Sequence, residues 1–335
     1  MKVLLIQLRQ IGDCLLTTPL VRALAKAKPE AEIHYLVEAP SDQLFTLNPW
    51  IKKVFLFPKK GGLGEQCALL RNLRQQRYEV VIDCFGLPKT ALLSWFTGAA
   101  MRIGMDYRGR IGYSHRVPHE RLGKYSALDK LRLLEPLGIQ SQDVKLEFPV
   151  SAEDQAFAKQ LLQALGVQAH RPLVSLSPVS RQPFKVWPAE RFSALADRLI
   201  EQYNAQILLM RGPGEDHFTE AVRRCMRNSA LGNLPVVNLP QTKAVFEQVD
   251  LHLGNDNGPM HLAIAAEVPT FAIFGRGRLS NWTPPGQTRH LAIEYNPGCK
   301  SGCTWPHCQL ECLKGLTVDM AWQALAPLLQ QLRKG

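Results

Sequence analysis

The chain has 335 residues, of which 46% are hydrophobic and 21% charged, and its formal net charge is +11. This length is too great for one ordinary core and predicts two domains, while the composition excludes long disordered tracts. No apolar run approaches the ~18 to 20 residues of a membrane span, and Gln7, Arg9 and Asp13 interrupt any secretory signal, so the sequence predicts a cytoplasmic protein.

Strand-like and helix-like segments alternate along the first half. Apolar strand patterns lie at 2–8, 32–37, 53–57 and 79–85, and helical patterns lie at 13–27, 64–76 and 88–97. Such alternation predicts a mostly parallel sheet with helices on both faces.

The alternation restarts with a helix near Ser151, where Asp154 completes a helix-start pattern. Further strand patterns lie at 172–178, 205–210, 235–239, 249–255 and 269–275, and helical patterns at 188–203, 215–227, 258–266 and 318–332. We therefore predict two doubly wound α/β domains, 1–150 and 151–335, with the last helix as a candidate to pack back on the first domain. Ligands of such sheets bind outside the carboxyl ends of the strands.

The positive charge is concentrated in the first half. Residues 1–150 hold 22 Lys and Arg against 14 Asp and Glu, whereas residues 151–335 hold 18 against 15. This bias favours an anionic partner for the first domain, such as a phosphorylated substrate, a membrane surface or nucleic acid. General solubility is the alternative explanation.

The first strand leads into the turn RQIGDCLLTTP, in which a single glycine is followed at once by Asp13. A carboxylate at this position either stabilises the start of a helix or serves as a general base beside a ligand. The segment alone leaves both interpretations open.

Three strand ends in the second half carry polar or charged side chains. Ser177, Ser180 and Lys185 precede a Pro-started helix and suit a phosphate group; the alternative is a solvated basic loop with Trp187 in the core. Glu215, after Gly-Pro-Gly, either complements a helix dipole or accepts bonds from sugar hydroxyls.

The third of these strand ends is the turn Asn-Asp-Asn-Gly-Pro at 255–259. It leads into a helix whose first amides, near Asn257 and Gly258, can bind a diphosphate. A plain turn with His261 facing the core is the alternative.

With these motifs, the sequence resembles the family 9 glycosyltransferases, the bacterial ADP-heptose:lipopolysaccharide heptosyltransferases. The matching motifs are R-x-x-G-D-x-x-x-T-x-P at 9–19, K-x-W-P at 185–188, G-P-G-E at 212–215 and N-D-N-G-P-M-H-L-A at 255–263. They run in order through essentially the whole chain. The resemblance implies a GT-B fold, in which two Rossmann-like domains face a cleft, the first binding the acceptor and the second the nucleotide-sugar donor.

The same resemblance implies roles for individual residues in an inverting transfer of heptose from ADP-heptose to a lipopolysaccharide inner-core acceptor. Asp13 resembles the general base and Lys185 the cation on the donor phosphates. The residues that the resemblance assigns to the donor are Ser177, Ser180, Lys185, Glu215, Asp256, Asn257, Gly258 and His261. The family usually has threonine where this chain has Asn257.

Basic side chains in the first domain are candidates for binding an anionic acceptor. These candidates are Lys59, Lys60, Arg102, Arg108 and Arg110. Lipid A and its Kdo sugars carry phosphates and carboxylates, and the same cations favour weak docking on an anionic inner membrane. A solvated basic surface is the alternative. This chemistry requires no metal or cofactor, and the chain contains no D-x-D triplet.

Four cysteines cluster near the carboxyl terminus with the spacing C-x3-C-x4-C-x3-C. They are Cys299, Cys303, Cys308 and Cys312. The spacing differs from the C-x2-C pairs of zinc ribbons, so we predict no metal site.

Other functions stay open at this point. Another GT-B nucleotide-sugar enzyme, such as a 2-epimerase or a transferase of a different sugar, would use the same motifs. A nucleic-acid-binding protein would explain the charge, but its aromatic stacking residues are missing from the basic segments, so we expect no nucleic-acid partner. A dinucleotide oxidoreductase would need G-x-G-x-x-G after the first strand, and this chain lacks it.

Overall fold

The computed structural model describes residues 1–106, 112–119, 124–276, 278–299, 303 and 306–332. The chain divides into two compact units, residues 1–149 and residues 150–335. The division lies one residue from the boundary predicted from the sequence.

The first unit contains a six-stranded sheet in which every neighbouring pair is parallel. Its strands are β1 (Lys2–Ile6), β2 (Glu32–Val37), β3 (Ile51–Leu56), β4 (Val80–Asp83), β5 (Met101–Asp106) and β6 (His115–Pro118). Its helices are α1 (Ile11–Leu15), α2 (Thr18–Ala27), α3 (Leu63–Gln75), α4 (Pro88–Phe96) and α5 (Ser126–Leu131), with 3-10 turns at Ser41–Leu44 and Arg132–Leu137. The strand order is β3-β2-β1-β4-β5-β6.

Two features of the first unit differ from the sequence-based prediction. The helix expected over 13–27 is divided into α1 and α2, and the second begins with Thr18 and Pro19, because proline favours the first turn of a new helix. The segment 97–134, which contains the acceptor candidates Arg102, Arg108 and Arg110 and for which we predicted no strand, contributes β5 and β6 to the sheet. Its cations therefore lie partly on strands rather than on a free loop.

The second unit contains another all-parallel six-stranded sheet. Its strands are β7 (Leu173–Ser177), β8 (Gln206–Leu209), β9 (Gly232–Asn233), β10 (Leu251–Asn255), β11 (Thr270–Phe274) and β12 (His290–Glu294). Its helices are α6 (Ala152–Ala164), α7 (Ala189–Tyr203), α8 (Asp216–Cys225), α9 (Leu239–Phe246), α10 (Gly258–Ala265), α11 (Leu279–Trp282), α12 (Glu311–Lys314) and α13 (Val318–Leu332), with a 3-10 turn at Pro183–Lys185. The strand order is β12-β11-β10-β7-β8-β9.

The strand predicted at 235–239 was wrong. The short β9 ends before it, and the segment leads without regular structure to Asn238, whose side chain caps α9 by accepting a bond from the amide of Gln241. The edge strand β12 was not predicted. The final helix α13 packs beside α7 and β12 and buries Ala321, Leu325 and Leu328 in the core of the second unit. The apolar face of this helix is therefore buried within its own unit.

When the strands of each unit are numbered from one to six in chain order, both sheets have the same spatial order, 3-2-1-4-5-6. The chain direction along the sheet therefore reverses between β1 and β4 and between β7 and β10. Such a reversal separates the loops that follow the two strands and opens a crevice at their carboxyl ends. Each unit thus has one preferred place for a ligand.

Among the described residues, no helix combines the length and the apolar character needed to cross a bilayer.

Candidate active site

Asp13 lies at the reversal point of the first sheet, in the first turn of α1 directly after β1. Gln10, not Asp13, is the residue that caps this helix, and it does so without a side-chain hydrogen bond. The Asp13 side chain is half-buried, and among the described residues it forms no hydrogen bond or ion pair. The fold therefore leaves this carboxylate available to accept a proton from a bound molecule.

A buried ammonium group holds the loop between β1 and Asp13. Lys130 Nζ donates to Gln7 Oε1 at 2.9 Å and to the carbonyl oxygen of Cys84 at 3.1 Å, joining the ends of β1 and β4. Burial raises the pKa of the Cys84 thiol to about 12, so that group is neutral beside the lysine. In the sequence Lys130 is one of the 22 basic residues of the first half, and only its tertiary contacts reveal this structural role.

A second buried charge shapes the loop after β4. Asp83 Oδ1 accepts from the amides of Phe85 and Gly86, and Tyr113 donates its hydroxyl to Oδ2 at 2.5 Å. The Tyr113 ring passes so close to Gly104 that a Cβ there would lie 2.3 Å from it. Burial raises the pKa of Asp83 and these hydrogen bonds oppose the rise, so the carboxylate serves to order the strand ends.

At the reversal point of the second sheet, Lys185 and Asp256 form an ion pair, with 2.5 Å between Nζ and Oδ2. Lys185 comes from the loop after β7, and Asp256 follows β10. The Asp256 side chain is 5% exposed, whereas the Lys185 side chain is 25% exposed. The carboxylate thus holds the lysine in place while a quarter of the lysine side chain stays exposed.

Two asparagines connect the ends of β7 and β10. Asn257 Oδ1 accepts from the amide of Met260 at 3.0 Å and caps α10, while its Nδ2 donates to Ser177 Oγ at 3.0 Å and to the Val179 carbonyl at 2.9 Å. Asn255 Oδ1 accepts from the amide of Trp187 at 3.1 Å. Asn255 was not among the predicted site residues, although an asparagine at the end of a buried strand is a signal that could have identified it.

The start of α10 presents unused backbone donors. Among the described residues, the amides of Asn257 and Gly258 have no acceptor. Unpaired amides at a helix start attract an anion, because the helix dipole adds to their partial positive charge. With Lys185, these amides are a binding arrangement for a phosphate group.

The other predicted donor residues lie at or after the ends of β7, β8 and β10 and differ in burial. Ser177 is fully buried, and Ser180 is 9% exposed, with its Oγ accepting from the amide of Gln182 at 3.3 Å. Glu215 is half-buried directly before α8, and its Oε2 accepts from the amide of Gly212 at 2.7 Å. His261 is buried in α10, and its ring centroid lies 6.1 Å from that of Trp282.

The strand interior beneath this site holds a neutral histidine. His252 on β10 is fully buried, and its Nδ1 lies 2.9 Å from Ser175 Oγ. Burial lowers the pKa of His252 to about 3, because the apolar surroundings disfavour the charged ring. This histidine therefore belongs to the structural support of the site.

The predicted acceptor cations differ in how far the fold uses them. Lys60 is exposed and forms no ion pair among the described residues, and Lys59 Nζ lies 3.8 Å from Glu38 Oε2. Arg102, in contrast, donates to the backbone carbonyls of Gly112, Ala99 and Ala100, so its guanidinium mainly secures β5 to its neighbouring segments. Arg108 and Arg110 lie outside the described residues.

The clustered cysteines are all free thiols. Cys312 is buried, Cys303 and Cys308 are half-buried and Cys299 is exposed. Burial and the neighbouring thiols raise the pKa of Cys312. Among the described residues, no group of three or more histidine, cysteine or acidic side chains has the arrangement of a metal site.

A family model described as glycosyltransferase family 9 (heptosyltransferase) matches residues 66–306. The chain belongs to glycosyltransferase family 9. This family 9 enzyme is 29% identical over 293 residues to lipopolysaccharide heptosyltransferase 3 of Escherichia coli, with 83% of each chain covered.

Solved structures establish the fold of this family 9 enzyme. The E. coli ADP-heptose lps heptosyltransferase II matches with a TM-score of 0.81 at 22% identity, covering 99% of both chains. The E. coli heptosyltransferase WaaC with ADP matches with a TM-score of 0.71 at 18% identity, again covering 99% of both chains. The predicted GT-B architecture of two Rossmann-like units is confirmed, and the chain is a glycosyltransferase.

Proposed function

We propose that this enzyme transfers heptose from ADP-heptose to an inner-core sugar of lipopolysaccharide, with inversion at the anomeric carbon. Family membership supports heptosyl transfer, and relatives named for lipopolysaccharide and for ADP-heptose support the acceptor and the donor. The mechanism rests on one observation: the Asp13 carboxylate lies at the reversal point of the first sheet and forms no hydrogen bond or ion pair among the described residues.

Asp13 acts as the general base in this proposal. Its carboxylate accepts the proton of an acceptor hydroxyl while that oxygen forms a bond to the anomeric carbon of heptose. The bond from this carbon to the donor phosphate oxygen breaks in the same displacement, and its electron pair leaves with ADP. A carboxylate without a cation partner suits this role, since an ion pair would reduce its basicity.

The second unit binds the donor in this proposal. Lys185 and the amides of Asn257 and Gly258 hold the diphosphate and stabilise the negative charge that ADP gains as it leaves. Ser177 is the less suitable of the two candidate hydroxyls, because it is fully buried and bonded to Asn257; Ser180 is better placed to reach a phosphate.

Further donor contacts involve Glu215, whose second oxygen can accept from a sugar hydroxyl, and Asp256, which positions Lys185. His261 supports α10 from within, since its ring is buried in this structure.

Lys59 and Lys60 are the acceptor-binding residues that the structure leaves most accessible. Phosphates and carboxylates of a lipid A–Kdo acceptor would pair with them. Since a nucleotide sugar is too highly charged to cross a bilayer unaided, we place the reaction on the cytoplasmic side of the inner membrane, with peripheral attachment to its anionic surface.

The test is transfer from ADP-heptose to a panel of truncated core acceptors, with products measured by mass spectrometry. Asp13→Asn should lower turnover by about 10²- to 10⁴-fold, the usual contribution of a general base, while ADP affinity measured by calorimetry stays within twofold of wild type. Glu65→Gln is the matched control, because it removes another first-turn carboxylate of the same unit, at the start of α3.

Turnover by Asp13→Asn near the wild-type rate would remove Asp13 from its role. Normal ADP binding without transfer from ADP-heptose to any acceptor would instead reject the donor sugar or the acceptor.

A further inference from the structure

Most of the large apolar side chains that are exposed belong to the first unit, and four of them fall within the ten residues 87–96. Among the described residues these four are Leu87, Leu92, Trp95 and Phe96; Leu47, Leu56 and Leu63 are also exposed in this unit, whereas the second unit contributes Val236 alone. Scattered exposed leucines need no explanation, but a group within one short stretch indicates a contact surface.

Helix α4 places large apolar side chains on its exposed face as well as on its buried one. Leu92, Trp95 and Phe96, at positions i, i+3 and i+4, share the exposed face. The buried face packs Leu93 into the core and also contains two polar side chains, Thr90 and Ser94, of which Ser94 Oγ donates to the Thr90 carbonyl. The three exposed apolar groups are therefore directed away from the core of their own unit, where only a partner can bury them.

Three cations of α3 and α4 accompany this apolar face without a carboxylate partner. Lys89 lies one turn before Leu92, with its Nζ 4.1 Å from the centroid of the Phe57 ring, and Arg74 Nη1 of α3 donates to the Phe96 carbonyl at 3.1 Å. Arg71, one turn before Arg74, is exposed. Among the described residues, none of these three cations has a carboxylate within ion-pair distance.

We propose that this surface docks on an anionic lipid bilayer. The α3–α4 face is defined as Arg71 and Arg74 of α3 with Lys89, Leu92, Trp95 and Phe96 of α4. Aromatic and aliphatic side chains enter the headgroup region while adjacent Lys and Arg pair with anionic headgroups, which is how amphipathic surfaces bind membranes. A symmetric contact with a second copy is disfavoured, because it would bring these cations close to their own counterparts.

The biological reason for docking rests on the proposed function, since an acceptor anchored by lipid A has to be reached at the membrane. The contact itself can be tested without catalysis. Full-length protein is incubated with vesicles of phosphatidylcholine containing one third phosphatidylglycerol, or of phosphatidylcholine alone, and the bound fraction is measured by flotation.

We expect wild type to bind the anionic vesicles, to bind the neutral ones at least tenfold more weakly, and to dissociate as salt screens the charges. Leu92→Ser/Trp95→Ser should reduce partitioning to anionic vesicles at least tenfold. Val236→Ser is the matched control, since Val236 is 49% exposed, close to the 53% of Leu92 and the 54% of Trp95.

A second pair of variants tests the charges. Arg71→Gln/Lys89→Gln should weaken binding to anionic vesicles and flatten its salt dependence, whereas Arg223→Gln/Arg224→Gln, on the surface of α8, should not. The conservative Trp95→Phe should retain binding, which separates loss of docking from loss of folding.

Four results would overturn the proposal. Wild type could fail to bind anionic vesicles, or the Leu92/Trp95 variant could bind as well as wild type. Sedimentation could instead show a dimer that this variant dissociates, which would assign the face to a second copy. Transfer to a soluble acceptor without lipid should be unchanged in the Leu92/Trp95 variant, and a loss of this transfer would also contradict docking. The two proposals fail separately, since a result in which Asp13→Asn does not affect turnover would leave vesicle binding unchanged.

Discussion

Replacing Asn257 by threonine should weaken the second unit, because threonine retains one function of this side chain and loses another. The asparagine Oδ1 caps α10 through the amide of Met260 at 3.0 Å, and a threonine hydroxyl can also act as a cap. The asparagine Nδ2 donates both to Ser177 Oγ at 3.0 Å and to the Val179 carbonyl at 2.9 Å. A single hydroxyl cannot cap the helix and replace both of these donors.

The expected loss follows from the bonds removed. Each hydrogen bond contributes about 1 kcal/mol net, so Asn257→Thr should lower the free energy of unfolding of the second unit by about 2 kcal/mol. Asn257→Ala also removes the cap, which adds about 1 kcal/mol, for a total of about 3 kcal/mol. The difference between the two variants therefore isolates the cap.

The assay is equilibrium unfolding in urea, followed by the fluorescence of Trp187, which is fully buried in the second unit. Calorimetric titration with ADP provides a second measurement, and Asn257→Thr should bind about tenfold more weakly if the amides of Asn257 and Gly258 hold the diphosphate. Asn257→Thr unfolding at the wild-type urea concentration would refute the claim that the side-chain amide joins β7 and β10.

Three further outcomes are expected. Burial lowers the pKa of His252 to about 3, below its unfolded value, so the stability that neutral His252 contributes is present above pH ~6.5 and is lost on acidification. The loss is about 2 kcal/mol at pH 5. His252→Asn should flatten this fall in the free energy of unfolding, measured in urea across a pH series. Gly275→Ala would place a Cβ 2.4 Å from the Phe184 carbonyl oxygen, beside Lys185, and should cost about 1–3 kcal/mol and weaken ADP binding. Lys130→Met removes two buried charge-assisted hydrogen bonds and should destabilise the first unit by about 2–3 kcal/mol in thermal unfolding.

Matched controls accompany the last two variants. A Cβ at Gly62 meets no atom within 4 Å, so Gly62→Ala should leave stability and ADP binding unchanged. Lys52 is exposed on β3, so Lys52→Met should leave thermal unfolding unchanged. An unchanged melting temperature for Lys130→Met, or an acid slope unaffected by His252→Asn, would show that these buried groups lack the roles assigned here.

Elements whose ends are stabilised locally could be predicted from the sequence. The start of α6 is one case, since Ser151 Oγ accepts from the amide of Asp154 at 3.0 Å and the Asp154 carboxylate accepts from the Ser151 amide. The start of α10 is another, because Asn257 and the following Gly-Pro act within four residues. Both signals lie within one helical turn, so no tertiary information is needed.

Strands at a sheet edge or next to one were the elements that local patterns missed or misplaced. The strand β5 begins with Met101 and Arg102, and its pairing with β4 and β6, rather than its own alternation, holds it in the sheet. The apolar segment at 235–239 has strand-forming residues but no strand there, because β-propensity depends on an available neighbour. Strand formation in these places is decided by partners distant in the chain.

The sequence by itself determined the two-domain α/β architecture, the place of Asp13 after the first strand, the motifs of the proposed donor site and the excess of positive charge in the first half. The tertiary structure decided which of those charges are used by the fold. Lys130 is buried against Gln7, 123 positions away, whereas Arg71 and Lys89 have no carboxylate partner among the described residues. Asn257 likewise reaches Ser177 across 80 positions. The physical reason is that burial and hydrogen-bond partners are properties of spatial neighbours, and a pattern read along the chain contains only the neighbours that lie close in sequence.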